Sequence, residues 1–273
     1  MSFTEAATSA AWEIEMQQSA ITPSQPTFGR EHVGLSAMSR PGFQRYFFVA
    51  LAWFYAVVAV VGFAPNLHEH FSGAYEIHPV AWIHGAIMTT WLALLITQTT
   101  LAASGSVLQH RKLGVLSLAL APLVGLSMII ASRRKLLAEV LPVEHFQYDL
   151  LFLEVVELVL FVVFFTWAFL ARRRPDSHKR YMIFATAILL QAAVDRMWWF
   201  LPGASLSHHW GQDVYVYALL LPLFAFDFVS LGRIHRATLT GTAMLITGHV
   251  LANVVWGSPA WHHFAFTATN SMR

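Results

Sequence analysis

Long apolar stretches dominate the sequence and limit what the chain can fold into. Each stretch contains about 20 mostly apolar residues, which is the length a helix needs to cross a bilayer. Seven such runs cover 42–63, 79–103, 113–132, 146–171, 179–201, 214–231 and 237–257. Backbone polar groups in hydrocarbon must be satisfied within the segment, so these runs form helices. The sequence therefore predicts an all-α, polytopic membrane protein with seven transmembrane helices.

Composition supports a membrane protein and excludes several other classes. Hydrophobic residues make up 56% of the chain and charged residues only 12%, whereas soluble domains carry about 25% charged residues. The basic residues form short clusters without a continuous stripe, so nucleic acid is not an expected partner. The chain has no cysteine, which excludes disulfides, thiolate nucleophiles and iron–sulfur clusters.

The distribution of Lys and Arg predicts the orientation of the chain. Basic clusters near Arg111, Arg172 and Arg233 alternate with the loops 68–78 and 202–213, which contain no Lys or Arg. Cytoplasmic loops carry the excess of basic residues. We therefore expect a cytoplasmic N-terminus and an extracytoplasmic C-terminus, in a cell membrane of the bacterial inner-membrane type. The basic cluster 133–135 is the exception, because it falls on the outer side.

Three regions follow from this topology. Residues 1–40 are polar and are predicted to be a cytoplasmic arm, with a possible short helix over 5–18. Residues 41–258 form the membrane domain in contact with lipid. Residues 259–273 are predicted to be an extracytoplasmic tail.

Ionisable residues inside the predicted spans are the main functional signal. Such residues are costly in a bilayer and usually mark functional sites. At about 1.5 Å of rise per residue, Glu157 lies near the middle of the membrane. The outer half contains a polar set that must line a cavity or bind a ligand: His84, His145, Asp149, Glu154, Asp195, Arg196, His249 and Asn253.

Four histidines alternate between the outer and inner ends of successive spans. His84 and His145 are outer, His110 and His178 are inner, and imidazole is a common haem ligand. The pattern resembles the transmembrane di-haem b-type cytochromes that act as ascorbate-linked ferric reductases. The resemblance implies haem b. A redox protein of this kind would have a quinone or an extracytoplasmic electron carrier as its partner. Because Arg and Lys flank the inner pair, a single haem between the outer pair is the favoured prediction, with His249 as a substitute ligand.

The remaining outer-half groups receive roles that support this hypothesis. Arg196 would balance haem propionates or a carboxylate. Glu154, Glu157 and Asp195 would handle coupled protons, because Asp, Glu and His chains carry protons in many membrane proteins. Asp227 is a candidate for a further step of that relay.

Two alternatives from other classes stay open, and so does the question of whether the chain is an enzyme. His84, His145, Asp149 and His249 mix nitrogen and oxygen donors that suit a non-haem iron, manganese or zinc ion, as in a metal-dependent membrane hydrolase. The chain could instead be a non-catalytic subunit or assembly factor that packs against other membrane subunits. In that case its polar residues should pair with one another.

A second resemblance concerns the membrane region as a whole. The segments 84–88 (HGAIM), 110–114 (HRKLG) and 175–182 (PDSHKRYM) are similar to a group of uncharacterised bacterial multi-pass membrane proteins. This resemblance implies a fold and no function.

Overall fold

The computed structural model describes residues 41–74, 76–138, 145–197 and 209–270. The predicted arm over 1–40, with its possible helix, lies outside these residues. Within them the chain is helical and contains no strand. The helices are α1 (Pro41–Phe71), α2 (Pro79–Ala103), α3 (Val107–Gly114), α4 (Leu116–Ala138), α5 (His145–Leu170), α6 (Pro175–Leu189), α7 (Gln191–Val194), α8 (His209–Leu231), α9 (Arg236–Val255) and α10 (Pro259–Asn270).

Among the described residues, six segments are long and apolar enough to cross a membrane. They are Gly42–Phe71, Pro79–Ala103, Val107–Leu137, His145–Arg173, Asp213–Leu231 and Arg236–Val255. They confirm the prediction of an all-helical, multi-pass membrane protein. The span predicted over 79–103 coincides with α2, and α1 and α8 extend beyond the apolar runs from which they were predicted.

The fifth predicted span, 179–201, is not a continuous helix. α6 has only 15 residues; after it come a turn at Leu190, the four-residue α7 and a 3₁₀ turn over Asp195–Met197. α6 is buried along most of its length and contacts α1, α5, α8 and α9. It is therefore the central helix of the bundle. Because protein surrounds the break, the backbone can leave the helical path there without meeting lipid.

The two ends of the bundle differ in character. At the basic end, α1, α6 and α9 begin, and the exposed basic cluster 172–174 lies there. At the opposite end, called the α10 end, α1, α4 and α9 finish. A layer of fully buried apolar side chains separates the two ends: Leu160, Phe164, Phe184, Ile188, Leu220 and Leu223.

Glycines in α9 allow this layer to pack closely. A Cβ atom on Gly241 would lie 2.6 Å from the Phe184 ring, and one on Gly248 would lie 2.7 Å from Leu160. Small residues of this kind let helices approach in membranes, where packing is the main source of helix association. The contact of α9 with α5 and α6 therefore depends on these two positions.

The segment predicted to be a tail contains the helix α10, which docks on α5. Trp261 Nε1 donates a hydrogen bond to the Tyr148 carbonyl oxygen at 2.7 Å. His262 Nε2 lies 2.8 Å from Asp149 Oδ1, which also accepts from the Gly257 backbone N–H at 2.9 Å. At 12 residues α10 is too short to span a bilayer, so a search for spans could not find it.

Candidate functional site

A buried ion pair joins three helices at the basic end. Arg180 is 1% exposed and Asp227 is fully buried. Arg180 donates through Nε to Asp227 Oδ1 at 2.9 Å and through a second nitrogen to the same oxygen. Asp227 Oδ2 accepts from the His235 backbone N–H at 3.0 Å and from the Thr238 hydroxyl at 2.5 Å. Every oxygen of this carboxylate is therefore used in holding α6, α8 and α9 together.

Two histidines meet near this end of the bundle. The ring centroids of His110 on α3 and His178 on α6 are 6.3 Å apart, and the ring planes are 86° apart. His178 Nδ1 lies 2.8 Å from the Ala168 carbonyl oxygen, and His110 Nδ1 lies 3.2 Å from the Gln98 carbonyl oxygen. Neither Nε2 atom has a hydrogen-bond partner within the described ranges.

The tautomer of His110 depends on Gln98. With the Gln98 side-chain amide turned so that its nitrogen faces His110 Nδ1, the two atoms are 2.7 Å apart and Nδ1 accepts. When the Gln98 side chain is turned the other way, His110 Nδ1 can donate to the Gln98 backbone carbonyl oxygen. His110 Nε2 then carries the free lone pair. A contact between Nδ1–H and a backbone carbonyl is the usual support of a metal-bound imidazole.

The outer histidines have separate neighbours. His84 Nδ1 lies 2.9 Å from Ser127 Oγ, which donates to the Val124 carbonyl oxygen at 2.8 Å, so the hydroxyl accepts from the imidazole. His145 is exposed and stacks against His262 of α10, with ring centroids 4.6 Å apart. The structure therefore places these two side chains in different surroundings.

The α10 half of the bundle contains a second polar cluster. Asn253 Nδ2 donates to Asp213 Oδ2 at 2.9 Å. His249 Nδ1 lies 3.3 Å from Asp213 Oδ1 and 3.0 Å from the Tyr217 hydroxyl. The amide of Gln191, at the start of α7, lies close to Asp213, but neither of its polar atoms makes a hydrogen bond of normal geometry.

The carboxylates predicted for proton handling differ in how they are paired. Glu154 lies 3.6 Å from Lys135 Nζ, which gives the basic cluster 133–135 a local counter-ion. Glu157 is buried and has no ion pair or hydrogen bond within the described residues. Asp195 Oδ1 is also buried without a partner. The Arg196 guanidinium lies over the Phe63 ring.

The residues proposed for a non-haem metal site do not form a ligand set. Among the described residues, no group of three or more His, Asp or Glu side chains could hold a metal ion. Asp149 contacts α10, His249 contacts Asp213, and His84 contacts Ser127.

Sequence reasoning assigned no role to two groups in these clusters. Arg180 belongs to the basic stretch 172–180 that indicates a cytoplasmic loop between the fourth and fifth predicted spans, yet it is buried one turn inside α6. Asp213 was placed in an outer loop, yet it lies inside α8 one turn from Tyr217. Asp213 and Tyr217 are four residues apart, a spacing that places two side chains on one helical face. This spacing was the available signal for Asp213.

No family model, curated protein or solved structure matches this chain. The fold defines its class as a multi-pass helical membrane protein with a central broken helix. The resemblances to cytochromes and to the bacterial group remain predictions.

Proposed function

We propose that the protein is a seven-span redox protein of the cell membrane, bacterial inner-membrane type, with a cytoplasmic N-terminus, that binds haem b through His110 and His178. The observation that supports this most strongly is the pairing of two perpendicular imidazole rings from different helices. Two imidazole nitrogens about 2 Å from one metal place the ring centroids about 6 Å apart, and the centroids here are 6.3 Å apart.

The hydrogen bonds of both rings suit ligation. His178 Nδ1 faces the Ala168 carbonyl oxygen, which fixes the ring and leaves Nε2 for a metal. His110 Nδ1 faces the Gln98 carbonyl oxygen in the same way, and its Nε2 is free for a metal when the Gln98 side-chain amide does not donate to Nδ1. Haem ligands are commonly held by this kind of second contact. In this arrangement Gln98 is a positioning residue, because its side chain decides which nitrogen of His110 carries the proton.

Charge and shape near the pair also suit haem. Haem propionates are carboxylates, and the exposed basic residues Arg111, Lys112 and the cluster 172–174 lie at this end. An apolar groove of about 430 Å³ between α4 and α5 begins at Leu118 and Phe165, close to the basic end. Bound haem would supply one-electron transfer, and the groove would give a membrane quinone access from the lipid.

This proposal moves the favoured haem from the outer pair to the inner pair. The outer pair, His84 and His145, is the alternative to the inner pair, since the sequence predicted these two residues as axial ligands. Their separate contacts with Ser127 and His262 give no support for a shared metal.

The test is an optical spectrum of the detergent-purified protein, oxidised and dithionite-reduced. We expect a Soret band that shifts on reduction and is lost in His110→Ala and in His178→Ala. The control His263→Ala, at an exposed position of α10, should keep the band. Loss of the band in His84→Ala or His145→Ala alone would support the outer site instead. A folded protein that takes up no haem would refute both sites.

A non-catalytic subunit is the second candidate. The pairs Arg180–Asp227, Asp149–His262 and Lys135–Glu154 support it, because polar residues of a scaffold should satisfy one another. Co-purification with a stoichiometric membrane partner, from cells in which the chain carries no haem, would favour this function.

A further inference from the structure

The break in the central helix lies among buried residues. Leu190 is 3% exposed and Gln191 is fully buried. The Leu190 backbone N–H donates to the Ala187 carbonyl oxygen at 3.1 Å, three residues back, so the α-helical pattern stops here. Irregular backbone at membrane depth is tolerated where it is enclosed by protein or lines a water-filled cavity. Broken helices also form the binding sites of many membrane transporters.

Polar atoms without partners surround this break. Gln191 Nε2 and Oε1, Asp195 Oδ1 and His249 Nε2 are buried and make no hydrogen bond of normal geometry in the described part of the chain. A buried polar group left in this state costs about 1–3 kcal/mol. Buried waters typically make about three hydrogen bonds each to such groups. The set includes amide donors and carboxylate acceptors. Water can hydrogen-bond to both, because it donates and accepts.

Glu157 faces the same region from α5. The negative groups that act electrostatically on it are carboxyls: Asp195 after α7, Asp213 on α8 and Glu154 on its own helix. Lys135 of α4 is the cation within range, and it already pairs with Glu154. Two further titratable groups lie around Asp195 and Asp213: Arg196, adjacent in sequence to Asp195, and His249 of α9, 3.3 Å from Asp213.

We propose that the α10 half of the bundle holds a hydrated proton-binding site at the helix break, with Glu157 as its innermost proton carrier. Glu157 has no cation of its own, and an unpaired carboxylate in a bilayer is costly. A proton held on Glu157, and exchanged with Asp195 through water, removes that cost and the repulsion between neighbouring carboxyls. Gln191 lies at the break, where its amide can orient the water.

Exchangeable groups connect this site with the α10 end. Asp213 is four residues into α8, about 6 Å from its first residue, and it contacts Asn253 and His249. The Tyr217 hydroxyl continues the series at 3.0 Å from His249 Nδ1. Protons can therefore enter from the α10 side.

The opposite direction is closed. The buried apolar layer that includes Leu160, Phe164, Phe184 and Ile188 lies between Glu157 and the basic end. Beyond it, Asp227 is committed to Arg180 and to the contacts of α9, so it cannot serve as the further relay step predicted from the sequence. The site is thus a proton-binding inlet with one open side. This proposal goes beyond haem binding and does not depend on it.

Infrared spectroscopy of the full-length protein in detergent tests the proposal. At neutral pH exposed carboxyls are ionised, so a protonated buried carboxyl shows as an isolated carboxylic-acid C=O band. We expect that band, and we expect it to shift on transfer to D₂O because water reaches the site. Glu157→Gln should abolish it. The control Glu69→Gln, at an exposed position of α1, should retain it, because it leaves the Lys135–Glu154 pair intact.

Isotope labelling keeps the test decisive if Glu157→Gln does not fold. Labelling the wild-type protein with ¹³C-glutamate should shift the band, since the proton resides on a Glu side chain. Gln191→Leu should retain the band but slow its shift in D₂O. No carboxylic-acid band at neutral pH, a band that survives Glu157→Gln in folded protein, or a band that moves only with ¹³C-aspartate would each overturn the assignment.

Discussion

The Arg180–Asp227 pair offers a quantitative test of how the bundle is held together. Asp227→Asn keeps the size of the side chain but removes its charge. Arg180, 1% exposed, then loses its buried counter-ion, and the carboxylate still beside it is the exposed one of Asp176 at 3.8 Å. The amide nitrogen of the new Asn would also replace Asp227 Oδ2, which now accepts from the His235 N–H and the Thr238 hydroxyl. A donor would then face two donors.

The expected cost follows from the burial of the pair. Removing one partner of a buried ion pair costs about 3–5 kcal/mol, because the remaining charge is left uncompensated. Asp176→Asn is the matched control. Asp176 is 66% exposed and pairs with Lys179 at 2.8 Å, and such surface pairs contribute about 0–1 kcal/mol. Both variants replace an Asp by an Asn. Asp176→Asn makes the change at the surface and Asp227→Asn makes it in the core.

The assay is reversible unfolding in mixed micelles with increasing denaturing detergent. We expect Asp227→Asn to lose several times more free energy of unfolding than Asp176→Asn. The double variant Arg180→Met/Asp227→Leu should recover most of the loss, since apolar replacements of a buried pair are often neutral or stabilising. An Asp227→Asn protein as stable as Asp176→Asn, or a double variant no better than the single one, would refute the reasoning.

Two further predictions concern the helix break and the start of α9. A Cβ atom on Gly62 of α1 would lie 2.8 Å from the Ala193 carbonyl carbon. Gly62→Ala should therefore lower stability by about 1–3 kcal/mol in a thermal melting assay. Gly85→Ala, where a Cβ would enter open space, should be neutral in the same assay. His235 Nδ1 accepts from the Ala237 N–H as the α9 N-cap, and burial, followed by nearby positive charge, lowers the pKa of His235. The unfolded chain therefore binds the proton more readily, so stability should fall as pH drops from about 8 to 5; His235→Asn, which keeps a capping acceptor, should reduce that fall, and an unchanged pH profile would contradict it.

The sequence predicted those features that depend on local composition. α2 coincides with its predicted bounds because an unbroken apolar run begins there at Pro79, a favourable first helical residue. The basic loops indicated how the chain alternates between the two sides of the membrane. The rule that Lys and Arg concentrate in cytoplasmic loops, however, counts charges without regard to the direction of the side chains. Arg180 therefore passed as a loop charge, although it lies inside the bundle against Asp227.

The break at Leu190 could not be predicted from its own sequence. Residues 183–194 contain no Gly or Pro, so nothing local stops the helix. The close approach of Gly62 to Ala193 shows that contacts with α1 accompany the altered path, and such contacts are distant in sequence. α10 was missed for a similar reason, because its stability depends on Tyr148 and Asp149 of α5.

The candidate site was predicted only at the level of residue types. The alternation of histidines grouped His110 with His178, but the favoured pair was the outer one. Which pair shares a metal depends on how α3 and α6 approach each other, and hydropathy carries no information on that approach. The unpaired state of Glu157 was likewise invisible, because it depends on Lys135 being engaged by Glu154.

The most direct test of the account is an electron paramagnetic resonance spectrum of the ferric, haem-loaded protein. Perpendicular axial imidazole planes, as the 86° between His110 and His178 predicts, should give a strongly anisotropic low-spin signal. His178→Ala should convert it to a high-spin signal or abolish haem binding. Absence of bound haem in folded protein, or a low-spin signal that persists unchanged in both His110→Ala and His178→Ala, would contradict the central claim.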